Sequence, residues 1–226
     1  MEKRQAMKII SKILLLILVP IIPSIPIIIA ANITFRIPDI YRYEMNRSGI
    51  TQEINLTEPT DNLARFFSDY MLGTLDSFQY TAFFMGRERP IFGIGEEAFM
   101  SQCRNVLNMS LVVLVLMAAA FLFIVWFLFW RKEKQVVRIA YYAGSVLYAI
   151  TGISLIAIIL IDELRGKIYT KFAVYKFEET DLLPQLLSAG PFFSENLTVI
   201  IVISLIFITF GYSIIKRLTY PDRMFY

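Results

Sequence analysis

The chain has 226 residues, of which 57% are hydrophobic and 18% charged, where a soluble domain carries about 25% charge. With a mean hydropathy of +0.59, this balance excludes a disordered chain, a nucleic-acid binder built on a basic face and an ordinary soluble enzyme, and leaves an integral membrane protein. The single cysteine and the absence of histidine exclude an internal disulfide, a cysteine-rich metal cage and any imidazole base or ligand.

A membrane-crossing helix needs about 20 predominantly apolar residues. The first uncharged run of that kind is 13–35, closed by Lys12 and Arg36. It is longer than the core of a cleaved signal peptide, although Ile29-Ala30-Ala31 is a passable cleavage site, and is read as a retained anchor. Pro20, Pro23 and Pro26 stand three residues apart in it. Each removes an amide donor, so the carbonyls of Leu16, Val19 and Ile22 lose their helical partners. The helix is therefore expected to bend or partly unwind and to pack against protein there. A wall of a lipid-accessible cavity and a kinked anchor both answer to that pattern.

Residues 36–104 are too many for a mere connection. Residues 49–57 alternate, with Ile50, Ile54 and Leu56 on one face, and read as a strand. Pro59-Thr60-Asp61 looks like a helix start, and Leu63, Phe66, Phe67, Tyr70, Met71 and Thr74 follow at helical spacing. Residues 78–85 are aromatic and extended, 86–89 are expected to turn, and Pro90-Ile91-Phe92 to return beside them. From Glu96, the apolar positions Phe99, Met100, Cys103, Val106 and Leu107 keep helical spacing into the second uncharged run, 105–130. A helix from Glu96 to Trp130 would be about 52 Å long, more than a bilayer core needs, so its start should protrude.

A short basic loop, 131–138, leads to the third run, 139–161, with Ala140, Gly144 and Gly152 on one face. Small residues at that spacing let helix backbones approach closely in lipid. Residues 162–195 come next. Within them 168–177 are aromatic and strand-prone with Lys167, Lys171 and Lys176 interspersed, 181–187 are short and amphipathic, and Ser194 can cap the fourth run, 196–215. Ser204 and Gly211 punctuate that run before the tail, 216–226.

Charge sets the direction. The segments 1–12, 131–138 and 216–226 hold eleven cations and three acids, against eleven cations and sixteen acids elsewhere. The basic side is read as cytoplasmic. The expected architecture is an all-α membrane bundle of four transmembrane helices, both termini cytoplasmic, with a small α+β extracytoplasmic cap made from 36–104 and 162–195. Segment 1–35 then holds the cytoplasmic N-terminus and the first helix.

Candidate chemistry is sparse. Cys103 beside Arg104 has the cation that favours a thiolate, but no base, and it lies on an apolar helical stripe. Glu96 and Glu97 with Asp162 and Glu163 are either solvated helix-end charges or a site for a cation or an amine. Paired carboxylates of this kind can also share a proton. Arg87, Arg89, Lys167, Lys171 and Lys176 are either surface charge or contacts to lipid phosphate. No spacing resembles a metal site, and neither a metal nor a cofactor is expected. Asn32, Asn46, Asn55, Asn108 and Asn196 each stand in Asn-x-Ser/Thr, the acceptor pattern of eukaryotic secretory proteins. A eukaryotic four-span junction or receptor-accessory protein is thus a rival class. Such proteins usually carry paired outer cysteines, and this chain has one cysteine.

The chain resembles the lipoprotein intramolecular transacylases of low-GC Gram-positive bacteria over most of its length. The likeness lies in four spans with a large first and a smaller second outer segment, and in local patterns. Tyr41-Arg42-Tyr43 precedes Ile54-Asn55-Leu56, where the family has a short strand, and 62–75 falls where it has a helix. Arg89-Pro90-Ile91-Phe92 and then Glu97-Ala98-Phe99-Met100-Ser101-Gln102-Cys103-Arg104 resemble a family stretch with an acidic residue, His-Met, Asp-Val and a basic residue. Asp181-Leu182-Leu183 through Pro191-Phe192-Phe193 resembles the second outer motif.

The resemblance implies a bacterial plasma-membrane protein that handles lipoprotein. The family moves an acyl chain from the glyceryl group on an N-terminal cysteine to that cysteine's amine. Its chemistry uses a histidine in each outer segment. Phe99 stands where the first would be, and the second is missing from 168–177. Acyl transfer needs a general base. The expectation is therefore a non-catalytic relative, an accessory or binding subunit for a membrane lipid, a lipoprotein or another membrane protein at the outer leaflet. Phe99, Met100, Arg104, Lys171, Phe172 and Tyr175 are its candidate ligand-binding residues. The alternative is an active lipoprotein or lipid acyltransferase with a non-histidine site, for which Cys103, Glu97, Asp162 and Glu163 are the candidates.

Overall fold

In a computed structural model, the described residues are 2–48, 60–84, 87–161, 183 and 191–220. Six helices and one hairpin occur among them in chain order: α1 (Glu2–Thr34), α2 (Pro38–Ser48), α3 (Thr60–Leu72), β1 (Thr81–Phe84), β2 (Arg87–Pro90), α4 (Ile94–Trp130), α5 (Lys134–Leu160) and α6 (Pro191–Thr219). Among the described residues four helices are long and apolar enough to cross a membrane: Ile9–Thr34, Ile94–Trp130, Lys134–Ala157 and Asn196–Thr219. Their large side chains point outward in number; Leu116, Leu122 and Trp126 are each more than 60% exposed. Water would penalise that surface, whereas lipid tails match it.

Two compact units divide the chain. One comprises Met1–Ala30, Leu111–Leu155 and Ile201–Tyr226. Its core joins Leu18, Ile22, Ile124, Leu128, Val137, Ala140, Tyr141, Tyr148, Ile208 and Ile215. Close backbone approach occurs at Gly144, where an added Cβ would lie 2.8 Å from Ile22 Cβ and 3.1 Å from the Val19 carbonyl oxygen. Buried Ala140 stands one turn earlier on the same face. Gly152, by contrast, has open space where a Cβ would stand. Tyrosine hydroxyls tie α5 to α6. Tyr141 donates to the Ile208 carbonyl at 2.7 Å, Tyr148 to the Ile201 carbonyl at 2.9 Å, and Tyr148 also meets Ser204 at 2.8 Å.

The expected unwinding of the first helix does not occur. α1 is helical from Glu2 to Thr34 with Pro20, Pro23 and Pro26 inside it. The packing half of the expectation fits better. Pro23 and Pro26 are buried in the protein. Val19 O, the carbonyl that Pro23 deprives of its donor, is the one that faces Gly144. The carbonyl that lost its donor thus lies against protein rather than lipid.

The second unit comprises Ala31–Ser110 and Ile156–Ile200. Here α2 opens with proline at its first position and Asp39 in the first turn, both suited to a helix start. Tyr41 and Met45, four residues apart, bury its inner face against α3. α3 begins at Thr60 with Asp61 in its first turn. It stops at Gly73, whose φ of +88° suits glycine. Gly73 N–H donates to the Tyr70 carbonyl at 3.1 Å and Thr74 N–H to the Asp69 carbonyl at 3.0 Å. The strands β1 and β2 pair antiparallel from Thr81 opposite Pro90 to Phe84 opposite Arg87. The turn expected at 86–89 is therefore misplaced, because Arg87, Glu88 and Arg89 belong to β2. The strand expected at 49–57 and the segment 168–177 lie outside the described residues.

Candidate functional site

The first turns of α4, before the uncharged run that begins at Asn105, carry most of the described site candidates. They stand in the second unit beside an aromatic cluster. Phe78, fully enclosed, sits at its centre, 4.6 Å from Phe92, 5.0 Å from Phe66 and 5.1 Å from Phe67 by ring centroids. Tyr41, Tyr70 and Met71 complete one side. Aromatic pairs at these separations add to the burial of their own area.

Met100 belongs to this core, and Phe99 and Cys103 pack against it. Cys103 thus faces apolar side chains. Tyr41 donates its hydroxyl to the Phe35 carbonyl at 2.8 Å. Burial, with Cys103 adding a smaller push, raises its phenol pKa well above the usual range. It is a neutral hydrogen-bond donor at any physiological pH, not a base.

Glu96 and Glu97 are adjacent in sequence but differently placed. Glu97 is half-buried. Glu96 is 1% exposed. One carboxylate oxygen of Glu96 accepts from Gly93 N–H at 2.6 Å and the other from Leu183 N–H at 2.5 Å. The first bond caps the start of α4. The second reaches 87 residues along the chain and fixes fully buried Leu183 in the aromatic cluster. Glu96 therefore acts as a tie between the two long inter-span segments.

Arg104 is similarly committed. Its Nη1 donates to the Leu75 carbonyl at 2.8 Å, and its guanidinium lies 5.0 Å from the Tyr70 ring centre. It holds down the chain just beyond the end of α3.

A second polar group was not singled out by the sequence patterns. Arg36 Nη2 donates to Asn108 Oδ1 at 3.1 Å, and Asn32 Nδ2 donates to Ser110 Oγ at 2.8 Å. Ser68 Oγ donates to the Arg36 carbonyl at 2.6 Å. Asn32 and Asn108 stood out in the sequence only as Asn-x-Ser/Thr sites. The signal that could have found them is polarity at the ends of two apolar runs, where side chains in lipid seek each other.

The structure thus brings Phe99, Met100 and Cys103 together on one cluster, with Arg104 beside it and Glu97 at the start of the same helix. Asp162, Glu163, Lys171, Phe172 and Tyr175 lie outside the described residues, as do Lys167, Lys176 and the expected groove beside 168–177. Among the described residues no group of three or more His, Cys, Asp or Glu side chains could hold a metal.

Compared with solved structures, the chain aligns with the membrane integral lipoprotein intramolecular transacylase Lit from Bacillus cereus. The alignment covers 96% of this chain and 99% of that one, with a TM-score of 0.70 and 17% identity. The fold is that of this transacylase. Two variants of the same enzyme agree. One, with a histidine replaced by arginine, covers 96% of this chain and 95% of its own at TM-score 0.71 and 16% identity. The other, with a histidine replaced by alanine, covers 99% and 100% at TM-score 0.73 and 16% identity. No protein-family model matches the chain, and no curated protein sequence matches it. The four apolar helices and these neighbours together mark a multi-pass membrane protein.

Proposed function

We propose that this protein is a non-catalytic bearer of the transacylase fold, which binds a membrane lipid, a lipoprotein or a membrane partner at the outer leaflet. One observation carries the reading: the fold extends over nearly the whole chain, yet the sequence contains no histidine. Acyl transfer to an amine needs a base that titrates near neutrality, a task that suits imidazole. The packing around the described candidates supports the same reading. Cys103 faces apolar side chains and no imidazole exists to activate it, while Glu96 and Arg104 are engaged by backbone groups.

The reading includes a plasma-membrane location with both termini cytoplasmic. It makes the unit that contains α2, α3 and the β1–β2 hairpin an extracytoplasmic cap. Single cysteines introduced at Ser48 and Lys134, in a Cys103→Ser background, should label from opposite faces of the membrane. Labelling of both from outside would overturn this direction.

The decisive experiment incubates the purified full chain with diacylglyceryl lipoprotein and follows the acyl groups by mass spectrometry. No N-acyl lyso product is expected from the wild type or from Phe99→His, because the second family histidine is absent too. Turnover by the wild type would replace this reading with an acyltransferase that uses a non-histidine site, and Glu97, Cys103, Asp162 and Glu163 would then be the first residues to substitute.

A further inference from the structure

We propose that Arg36 and Asn108 form a binding site for the phosphate of a membrane phospholipid. Both stand where an apolar run meets its flanking segment. Arg36 is the first charge after 13–35, and Asn108 is the fourth residue of 105–130. The 3.1 Å bond from Arg36 Nη2 uses the amide oxygen of Asn108 as its acceptor. What Asn108 has left to offer is Nδ2, with two N–H donors, on an exposed side chain.

Among the described residues Arg36 has no carboxylate partner. The ion pairs among the described residues join Arg42 to Asp39 and to Asp61. Its Nε is enclosed without an acceptor, and the residue is half-buried. A guanidinium in that condition lacks the counter-charge that usually accompanies it. The pair presents one positive charge and donors alone.

The pair is also held in place. Arg36 N–H donates to the Ile33 carbonyl at 3.1 Å, and the Arg36 carbonyl accepts from Ser68. The Asn32–Ser110 bond fixes the neighbouring turns of α1 and α4. Little ordering remains for a ligand to impose.

The ligand must supply one negative charge shared over two acceptor oxygens, which a phosphodiester does and an uncharged glyceryl ester does not. Its source is lipid rather than free phosphate. Val106 and Met109, which flank Asn108 in α4, are 62% and 69% exposed and offer apolar surface to an acyl chain. The site stands whether or not the protein binds lipoprotein.

The test titrates the detergent-purified full chain with phosphatidylglycerol and counts retained lipid by native mass spectrometry. Diacylglycerol, inorganic phosphate and a diacylglyceryl lipopeptide are the comparison probes. Arg36→Gln should weaken phosphatidylglycerol about tenfold or more and Asn108→Ala by roughly threefold, as expected for lost charged and neutral hydrogen bonds. Arg36→Lys, which keeps the charge but not the fork, should fall between Arg36→Gln and the wild type. Arg42→Gln should change nothing, and lipopeptide binding should be the same in Arg36→Gln and wild type. Thermal melting checks each variant's fold; if Arg36→Gln does not fold, Asn108→Ala and Arg36→Lys decide. Equal phosphatidylglycerol retention by wild type and these variants would overturn the site. So would equal binding of diacylglycerol, equal loss in Arg42→Gln, or displacement of the lipid by inorganic phosphate.

Discussion

In the unit built from Met1–Ala30, Leu111–Leu155 and Ile201–Tyr226, neutral hydroxyls tie α5 to α6. The hydroxyls of Tyr141 and Tyr148 reach carbonyls of α6. In the unit built from Ala31–Ser110 and Ile156–Ile200, charged ties stand beside neutral ones such as Tyr41 to the Phe35 carbonyl. Glu96 gathers backbone N–H groups, and Arg104 holds a backbone carbonyl under an aromatic ring. The difference follows from the surroundings. A hydroxyl costs little to place in lipid once it has an acceptor. An ion must collect several donors before its burial is tolerated, and the N–H groups of Gly93 and Leu183 serve that purpose for Glu96.

The largest effect should come from breaking the charged tie. Glu96→Ala leaves the N–H groups of Gly93 and Leu183 without their acceptor and opens a hole beside the aromatic cluster. A loss of about 3 kcal/mol is expected, read as lower thermal stability of the full chain in detergent. Hydrogen exchange at Leu183 should rise with it. Glu96→Gln keeps one good acceptor and should lose less, about 1–2 kcal/mol. If Glu96→Ala melts like the wild type, the charged tie is not what holds the second unit.

A smaller loss is expected in the unit that holds Gly144. Gly144→Val would place Cβ against Ile22 and the Val19 carbonyl at distances that real side chains avoid. Overpacking of this kind costs about 2–3 kcal/mol, and Gly144→Ala about half of that. Gly152→Ala, where a Cβ has open space, should be near neutral in the same melting experiment and so serves as the control.

The same contrast governs what the sequence could reveal. The spans were legible because lipid enforces one rule, a long run without charge, and 13–35 or 105–130 obey it without tertiary help. α3 was legible because Thr60-Asp61 and the spacing of Leu63, Phe66, Phe67 and Tyr70 agree with each other. The hairpin was displaced because Arg87, Glu88 and Arg89 look like a turn, whereas a two-stranded ribbon has an open edge that tolerates charge. Pro38 and Asp39 mark the start of α2, a signal that reads clearly only beside the buried pair Tyr41 and Met45. The prolines of α1 misled only about unwinding, because local bonding predicts a break, while the freed Val19 carbonyl lies against Gly144. The site was the least legible part. Glu96 and Glu97 are identical in sequence terms, and their separate fates depend on Leu183, 87 residues away.

The smallest effects compare two helix ends with one geometry. α3 ends with Gly73 N–H on the Tyr70 carbonyl and Thr74 N–H on the Asp69 carbonyl. α4 ends with Lys132 N–H on the Phe129 carbonyl at 2.9 Å and Glu133 N–H on the Leu128 carbonyl at 2.9 Å. Both close the helix with a left-handed residue, φ +88° at Gly73 and φ +61° at Lys132. Only one of them is glycine. Gly73→Ala should therefore cost about 1–2 kcal/mol, since a Cβ is strained at that φ and would stand 3.2 Å from Arg104 Nη2. Lys132→Gly should act in the opposite direction. It relieves the side chain's strain but frees the unfolded chain, which leaves a gain of about 0.5 kcal/mol. The two melting shifts must differ in sign if backbone conformation governs both ends. A loss at both would mean that Lys132 contributes through its charge, placed where cations favour a helix C-terminus, and Lys132→Asn, which tolerates the left-handed region without that charge, would then lose stability as well.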